Sequence, residues 1–286
     1  MKKKGVTYSA RRRRKAIRNA CLTTIGVIII MFIVFPVIYM ILNSFMSESE
    51  INRYYEDGIS LHMIPDIISL ESYYRILLQS PEYLKKFWIS MLISGAVVFA
   101  QFVFSAMAAF AFAKYRFKGR KILFFVFIMM MLMPVQTVIV PNYLLFDNIK
   151  IINTYWCLIL SGSFMPLGTV LLTQGFKSVP NELIEAAKLD GAGTMRILWQ
   201  IIMPVAKGSV ICLLLLTFID AWNMVEQPVA FLNDTSQYPL SVFLAHFNKE
   251  NLALSFSCGV LALLPGFLLF MYYRDELAEG IEVSGL

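Results

Sequence analysis

Asp220 and Glu226 are the side chains best placed for chemistry, because both interrupt an apolar run, residues 205–228, that is long enough to enter a bilayer. A carboxylate at that depth is costly in hydrocarbon and belongs against protein or a water-filled cavity, where it would suit ion coupling. A second charged segment, Glu185-Ala186-Ala187-Lys188-Leu189-Asp190-Gly191-Ala192-Gly193, lies between long apolar runs, with Ile201 and Pro204 beyond it. Its small residues and broken helical pattern suit contact with another protein rather than bond making. No catalytic or metal-binding set accompanies either group. There is no phosphate loop with Gly-Lys-Thr/Ser, and no His, Cys or carboxylate cluster at ligand spacing. Cys21, Cys157, Cys212 and Cys258 each stand alone in or beside an apolar run and read as small apolar residues. His62 has no partner at a telling spacing and reads as an exposed loop histidine.

The elements that must position these groups are membrane helices. Of 286 residues, 58% are apolar and 15% charged, and residues 20–42, 87–113, 122–146, 151–176 and 251–273 contain no Asp, Glu, Lys or Arg. About twenty helical residues cross a bilayer core. Residues 205–228 supply a sixth span. The N-terminal segment, residues 114–121, residues 177–207 and the tail after 273 carry nine, five, four and one Lys or Arg, nineteen together, against six in the alternate connections. That excess marks the cytoplasmic side and predicts both termini inside. Arg11 to Lys15 then serve as an anchor beside anionic lipid.

The expected layout is a basic N-terminus (1–18), a six-helix membrane domain (19–280) and a short tail (281–286). The membrane domain includes an external segment (44–85), a cytoplasmic loop (176–204) and an external loop (229–250). Short surface helices are expected at Ser49–Tyr55 and Ser69–Leu78. Ser90, Ser94, Ala96, Ala100, Ser105, Ala108, Ala109 and Ala113 form a small-residue stripe suited to close helix packing. Pro134 with Gln136 and Thr137 suggests a broken third span, either lining a pathway or kinked for packing alone. Gly162, Pro166 and Gly168 are breakers in the fourth.

In the cytoplasmic loop, Pro180 suits a first helical turn, Glu182 and Glu185 suit the positive end of that helix, and Gly191 and Gly193 end it. Thr194 would cap a second helix carrying Ile197, Leu198, Ile201 and Ile202 towards Pro204. This shape is a rigid knob for a partner protein, the alternative being a helical hairpin lying flat on lipid.

Glu185-Ala186-Ala187, Asp190-Gly191-Ala192, Ile201 and Pro204 resemble the signature loop of permease subunits of bacterial ABC importers. The likeness is closest to the carbohydrate branch, the MalG-like subunits. It extends to Arg116-Phe117-Lys118-Gly119-Arg120, Met133-Pro134-Val135-Gln136, Pro141, Asn153-Thr154-Tyr155-Trp156, Trp222-Asn223 and Tyr238-Pro239-Leu240. Two departures are Met224, where an acidic residue usually follows the asparagine, and the short acidic ending Gly280 to Leu286.

The resemblance implies an all-α, multi-pass protein of the bacterial cytoplasmic membrane with the type I ABC importer permease fold. Its function would be ATP-driven, binding-protein-dependent import of a sugar or oligosaccharide. Partners would be a second, homologous permease, two ABC ATPase subunits holding ATP and Mg, and a solute-binding protein. This chain would bind no cofactor or nucleic acid and would catalyse no reaction. Glu185, Ala186, Ala187, Leu189, Asp190, Gly191, Ala192, Gly193 and Pro204 would couple to the ATPase. Gln136, Asn142, Tyr143, Trp222 and Asn223 would line the substrate pathway, and Asn233, Tyr238 and Pro239 would meet the binding protein. The alternatives are an ion-coupled secondary transporter built on Asp220 and Glu226, or an ABC permease for another substrate class.

Overall fold

The computed structural model describes the backbone of residues 4–55, 62–79, 81–245 and 252–284. No strand occurs among them. Among the described residues, four helices are long and apolar enough to cross a membrane: Asn19–Asn43, Pro81–Lys114, Tyr155–Ser178 and Leu252–Ala278. Two sharply bent pairs, Arg120–Met131 with Val135–Asn148 and Thr194–Val205 with Lys207–Trp222, bring the number up to six where each pair counts as one span. The chain divides into one unit of residues 1–79 and 248–261 and another of 80–247 and 262–286.

In the first unit, α1 (Lys4–Asn43) has an exposed apolar stretch from Asn19 onward, with Phe32 82% exposed. Such a surface requires lipid or another subunit. Its end is built differently. Asn43 and Ser44 are fully buried, the Asn43 amide donates to the Tyr39 carbonyl at 2.8 Å, and Tyr55 donates to Asn43 Oδ1 at 2.6 Å. Helices α2 (Glu48–Tyr55) and α3 (Glu71–Tyr74), the latter continued by a wider turn over Arg75–Gln79, match the two expected surface helices. Met46, Ile51 and Ala253 form their small core, and an Arg75–Glu48 ion pair joins the two helical segments.

In the second unit, α4 (Pro81–Lys114) is the central rod, packed on α7 (Tyr155–Ser163), α8 (Pro166–Ser178), α12 (Lys207–Trp222) and α14 (Leu240–Ala245). Ser90, Ser94, Ser105 and Ala109 of the small-residue stripe are buried. The close approach is exacting: a Cβ on Gly168 would collide with Ser105 Oγ, and one on Gly162 would lie 2.7 Å from Val97 Cγ1. Thr173 donates its hydroxyl to the Thr169 carbonyl at 2.6 Å, a common way to satisfy a buried hydroxyl inside a helix.

The breaks fall where backbone chemistry demands them. Helices α5 (Arg120–Met131) and α6 (Val135–Asn148) meet at 103° across Leu132–Pro134. Pro134 has no amide hydrogen, its ψ of 143° is extended, and its carbonyl accepts from the Thr137 hydroxyl at 2.7 Å. The α7–α8 junction at Phe164–Met165 frees a carbonyl on Met165, which accepts from buried Gln101 Nε2 at 3.2 Å. An uncompensated carbonyl there would cost several kcal/mol, on the order expected in hydrocarbon.

The fifth segment departs from the single run expected. It ends at Trp222, and α13 (Glu226–Phe231) begins after a three-residue gap. Helices α9 (Asn181–Leu189), α10 (Thr194–Ile197) and α11 (Met203–Val205) precede it, with a π-type turn over Leu198–Ile202. That wide turn suits Pro204, which cannot donate the ordinary helical bond to Gln200. The last helix, α15 (Leu252–Ser284), runs beyond the expected span end and is kinked at Tyr273.

Candidate functional site

The most distinctive surface is the bend after α9. Pro180, with ψ 138°, lies just before the first turn, and Asn181 starts the helix. At the other end Gly191 adopts φ +78°, its amide donates to the Lys188 carbonyl at 3.0 Å, and the Ala192 amide reaches the Ala187 carbonyl at 2.9 Å. These two bonds form a Schellman cap, which requires a left-handed residue where Gly191 stands. Any residue with a Cβ would be strained there by about 1–2 kcal/mol. Gly193, in extended conformation, occupies the cap position of α10, and Thr194 is already helical. Thr194 Oγ1 instead lies 3.4 Å from the Tyr115 hydroxyl.

One face of α9 holds it to the protein. Ile184 and Ala187 are buried in the core that also contains Phe176, Val179, Ile197 and Leu198. Lys114 Nζ donates to the Val179 carbonyl at 2.6 Å and to Asn181 Oδ1 at 3.1 Å, fixing the strand of chain that enters the helix. The opposite face is open. Glu185, Ala186 and Asp190 are exposed, and Leu189 is 90% exposed. Met195 and Trp199 add further exposed apolar surface nearby in sequence. A leucine held out on a rigid, capped helix is an unfilled knob. Covering it is worth about 1.5–3 kcal/mol.

A second feature is a cavity of about 650 Å³ in the same unit, a volume suited to a small ligand. The α5–α6 break, the α7–α8 break and the ends of α12 and α13 enclose it. Its lining is mostly apolar, with Asn142, Ser161, Thr217, Asp220 and Gln227 supplying polar groups. Met130, Met131 and Met133 provide adaptable walls.

Of the five pathway residues read from sequence, Asn142 lines this cavity. Gln136 Nε2 donates to Glu226 Oε1 at 2.7 Å, bridging α6 and α13. Tyr143 is exposed on α6. Trp222 is buried between Phe87 and Phe218 and donates to the Ala262 carbonyl at 3.1 Å. Asn223 folds back on the Ile219 carbonyl at 2.9 Å. Asp220 does reach the cavity, whereas Thr217, Gln227 and Ser161 carried no signal beyond being polar in or near apolar runs.

The loop after α13 is fastened through polar contacts. Asn153, at φ +63°, takes the Asn233 amide on its Oδ1 at 2.9 Å and donates its own amide to the Phe231 carbonyl at 3.0 Å. Asp234 accepts from the Ser236 hydroxyl and amide, which hold its carboxyl below the usual value. Buried Lys86 donates to the Thr235 carbonyl at 2.5 Å. Asn233 is exposed, Tyr238 half-buried and Pro239 buried, so the projecting tip is Asn233–Ser236. The sequence does not single out Lys86 or Gln101, and it offers Lys114 only as the first residue of a basic turn over residues 114–121 that reads as an interfacial anchor. The one available hint was a lysine near each end of an uncharged run.

Comparison with known proteins adds an independent line. A family profile described as binding-protein-dependent transport system inner membrane component matches residues 101–279. The arabinooligosaccharides transport system permease protein AraQ of Halalkalibacterium halodurans is 29% identical over 271 residues, covering 93% of this chain and 95% of that protein. The melibiose/raffinose/stachyose import permease protein MelC of Bacillus subtilis is 32% identical, covering 67% and 72% respectively. A solved bacterial ABC transporter involved in import of the acidic polysaccharide alginate superposes with a TM-score of 0.78 at 20% identity, over 93% of this chain and 97% of its own.

Proposed function

Because this chain belongs to the family of binding-protein-dependent transport system inner membrane components, we propose that it is one membrane subunit of an ATP-driven importer of oligosaccharides. It is an all-α, multi-pass permease of the bacterial inner membrane type, and its fold is that of an ABC importer permease. In this reading both termini and the 176–204 loop face the cytoplasm. Residues 1–18 form a basic cytoplasmic N-terminus, 19–280 the six-helix permease domain and 281–286 a cytoplasmic tail. ATP and Mg are held by two partner ATPase subunits, and a second permease and a solute-binding protein complete the assembly.

The observation that carries the reading is the α9 knob. Ile184 and Ala187 anchor it, Gly191 ends it, and Leu189 stands outside, 90% exposed. Closure of the ATPase pair moves this knob as a solid piece. The motion passes into α10, α11 and the 86° bend before α12. Helix α12 carries Thr217 and Asp220 to the cavity, so force at the knob reaches the side of the substrate chamber. Oligosaccharides suit that chamber, because hydroxyls meet its few polar groups and ring faces its apolar walls. The names of the relatives support carbohydrate as the cargo.

The ion-coupled alternative rests on Asp220 at the cavity, since Glu226 is engaged by Gln136. Proteoliposomes containing all subunits, with ATP on the ATPase side, separate the two. Uptake of arabino-oligosaccharide or raffinose is expected to need ATP, to ignore a protonophore and to fall at least tenfold in Leu189→Asp. Uptake without ATP that collapses with the protonophore would favour the ion-coupled reading.

A further inference from the structure

The sequence offers no metal-ligand spacing, yet the first unit brings an imidazole and two carboxylates together. His62 Nε2 lies 3.8 Å from Glu50 Oε1 and 3.8 Å from Asp66 Oδ1, and the three donor atoms lie within 4.8 Å of one another. We propose that Glu50, His62 and Asp66 bind one first-row divalent cation, zinc being the closest match to this donor set. One nitrogen and two carboxylate oxygens suit zinc better than calcium or magnesium, which favour oxygen alone. Around tetrahedral zinc, with bonds of about 2.0–2.1 Å, donors stand about 3.3 Å apart. The present separations therefore close by about half an ångström at two pairs.

Each ligand is already aimed. Tyr54 stacks on the His62 ring at 3.8 Å with the planes 10° apart, setting the orientation of the imidazole. The Tyr54 hydroxyl donates to Asp66 Oδ2 at 2.9 Å, turning Oδ1 towards His62. The Asp66 amide donates to Glu50 Oε1 at 2.6 Å, and Glu50 is only 7% exposed. Partners of this kind fix ligand orientation at metal sites. They also leave a buried carboxylate whose charge needs compensation. A divalent cation supplies it. The competing source is the protonated imidazole itself, paired with the same carboxylates without metal.

The bound ion would tie α2 to residues 62–66 and stiffen the unit around Met46 and Ile51. The inference does not depend on the transport reading, because it concerns only contacts within this unit. It corrects the expectation that His62 is an exposed loop histidine. The ring is half-buried and its neighbours come from both sides in sequence. Spacing concealed the cluster because Glu50 is on a helix and the other two follow it at intervals of twelve and four.

The test uses the assembled complex, purified without a polyhistidine tag, stripped with EDTA and dialysed against buffered zinc sulfate. Elemental analysis is expected to give one zinc per copy of this chain, against none with magnesium in its place. Cobalt substitution should give visible absorption bands of a four- or five-coordinate site. His62→Ala and Glu50→Gln should each weaken zinc binding at least tenfold. Asp66→Asn should do the same while keeping an acceptor for Tyr54, and so covers the case in which the other variants assemble poorly. Zinc retained unchanged in all three variants, zinc well below one per chain, or a pairing that responds to pH but not to metal would each overturn the proposal.

Discussion

The two ends of α4 carry the same device and finish it differently. Lys86 at one end donates to the Thr235 carbonyl, and Lys114 at the other donates to the Val179 carbonyl. The lysines are 28 residues apart in one uninterrupted helix, so they are separated by about 42 Å. At the Lys86 end the fastened loop satisfies itself. Asp234 caps Ser236, Asn153 holds Asn233, and Ser90 accepts the Leu240 amide at 2.7 Å. At the Lys114 end the fastened helix ends in an exposed leucine. One end is complete within the chain, while the other is rigid and incomplete. On the proposed function, that difference marks where force would enter, because the exposed end is the one left for an ATPase subunit to cover.

The sharpest way to break this comparison is at Gly191. Gly191→Pro cannot adopt φ +78° and removes the amide that reaches Lys188. The Schellman cap is lost while the buried face of α9 is untouched. Uptake is expected to fall more than tenfold with the chain still inserted, and ATP hydrolysis by the complex should escape stimulation by the binding protein. Coupled transport at the normal rate would contradict the role given to the bend.

Comparing the lysines sharpens it further, with smaller effects. Lys114→Met removes two charge-assisted bonds, together about 3 kcal/mol by order of magnitude. It should lower uptake several-fold and raise the ATP hydrolysed per sugar moved. Lys86→Met should leave that ratio unchanged and instead weaken stimulation by the binding protein twofold to fivefold. The same ratio change in both variants would mean that the two ends are not distinct.

Much of this was legible in the sequence where one residue imposes its own geometry. Pro134 and Pro166 mark breaks, Gly191 marks the left-handed cap, and the uncharged runs mark the spans. The direct contribution of Gln101 was not legible, because its partner Met165 is 64 residues away and is a carbonyl freed only when α7 ends. Likewise nothing local distinguishes Trp222 packed between phenylalanines from a Trp free to meet sugar. The separation of α12 from α13 was missed because Asn223–Val225 contains neither Pro nor Gly. The exposure of Leu189 follows from which α9 residues the core takes, which periodicity near Ile184 and Ala187 only half specifies.

Site-specific cross-linking from position 189 tests the central claim most directly. In a variant lacking the native cysteines, Leu189→Cys carrying a short photo-reactive group should join the ATPase subunit and little else, with yield changing when ATP is bound. Predominant joining to the binding protein, or free reaction of Leu189→Cys with a membrane-impermeant thiol reagent added outside intact cells, would contradict the account.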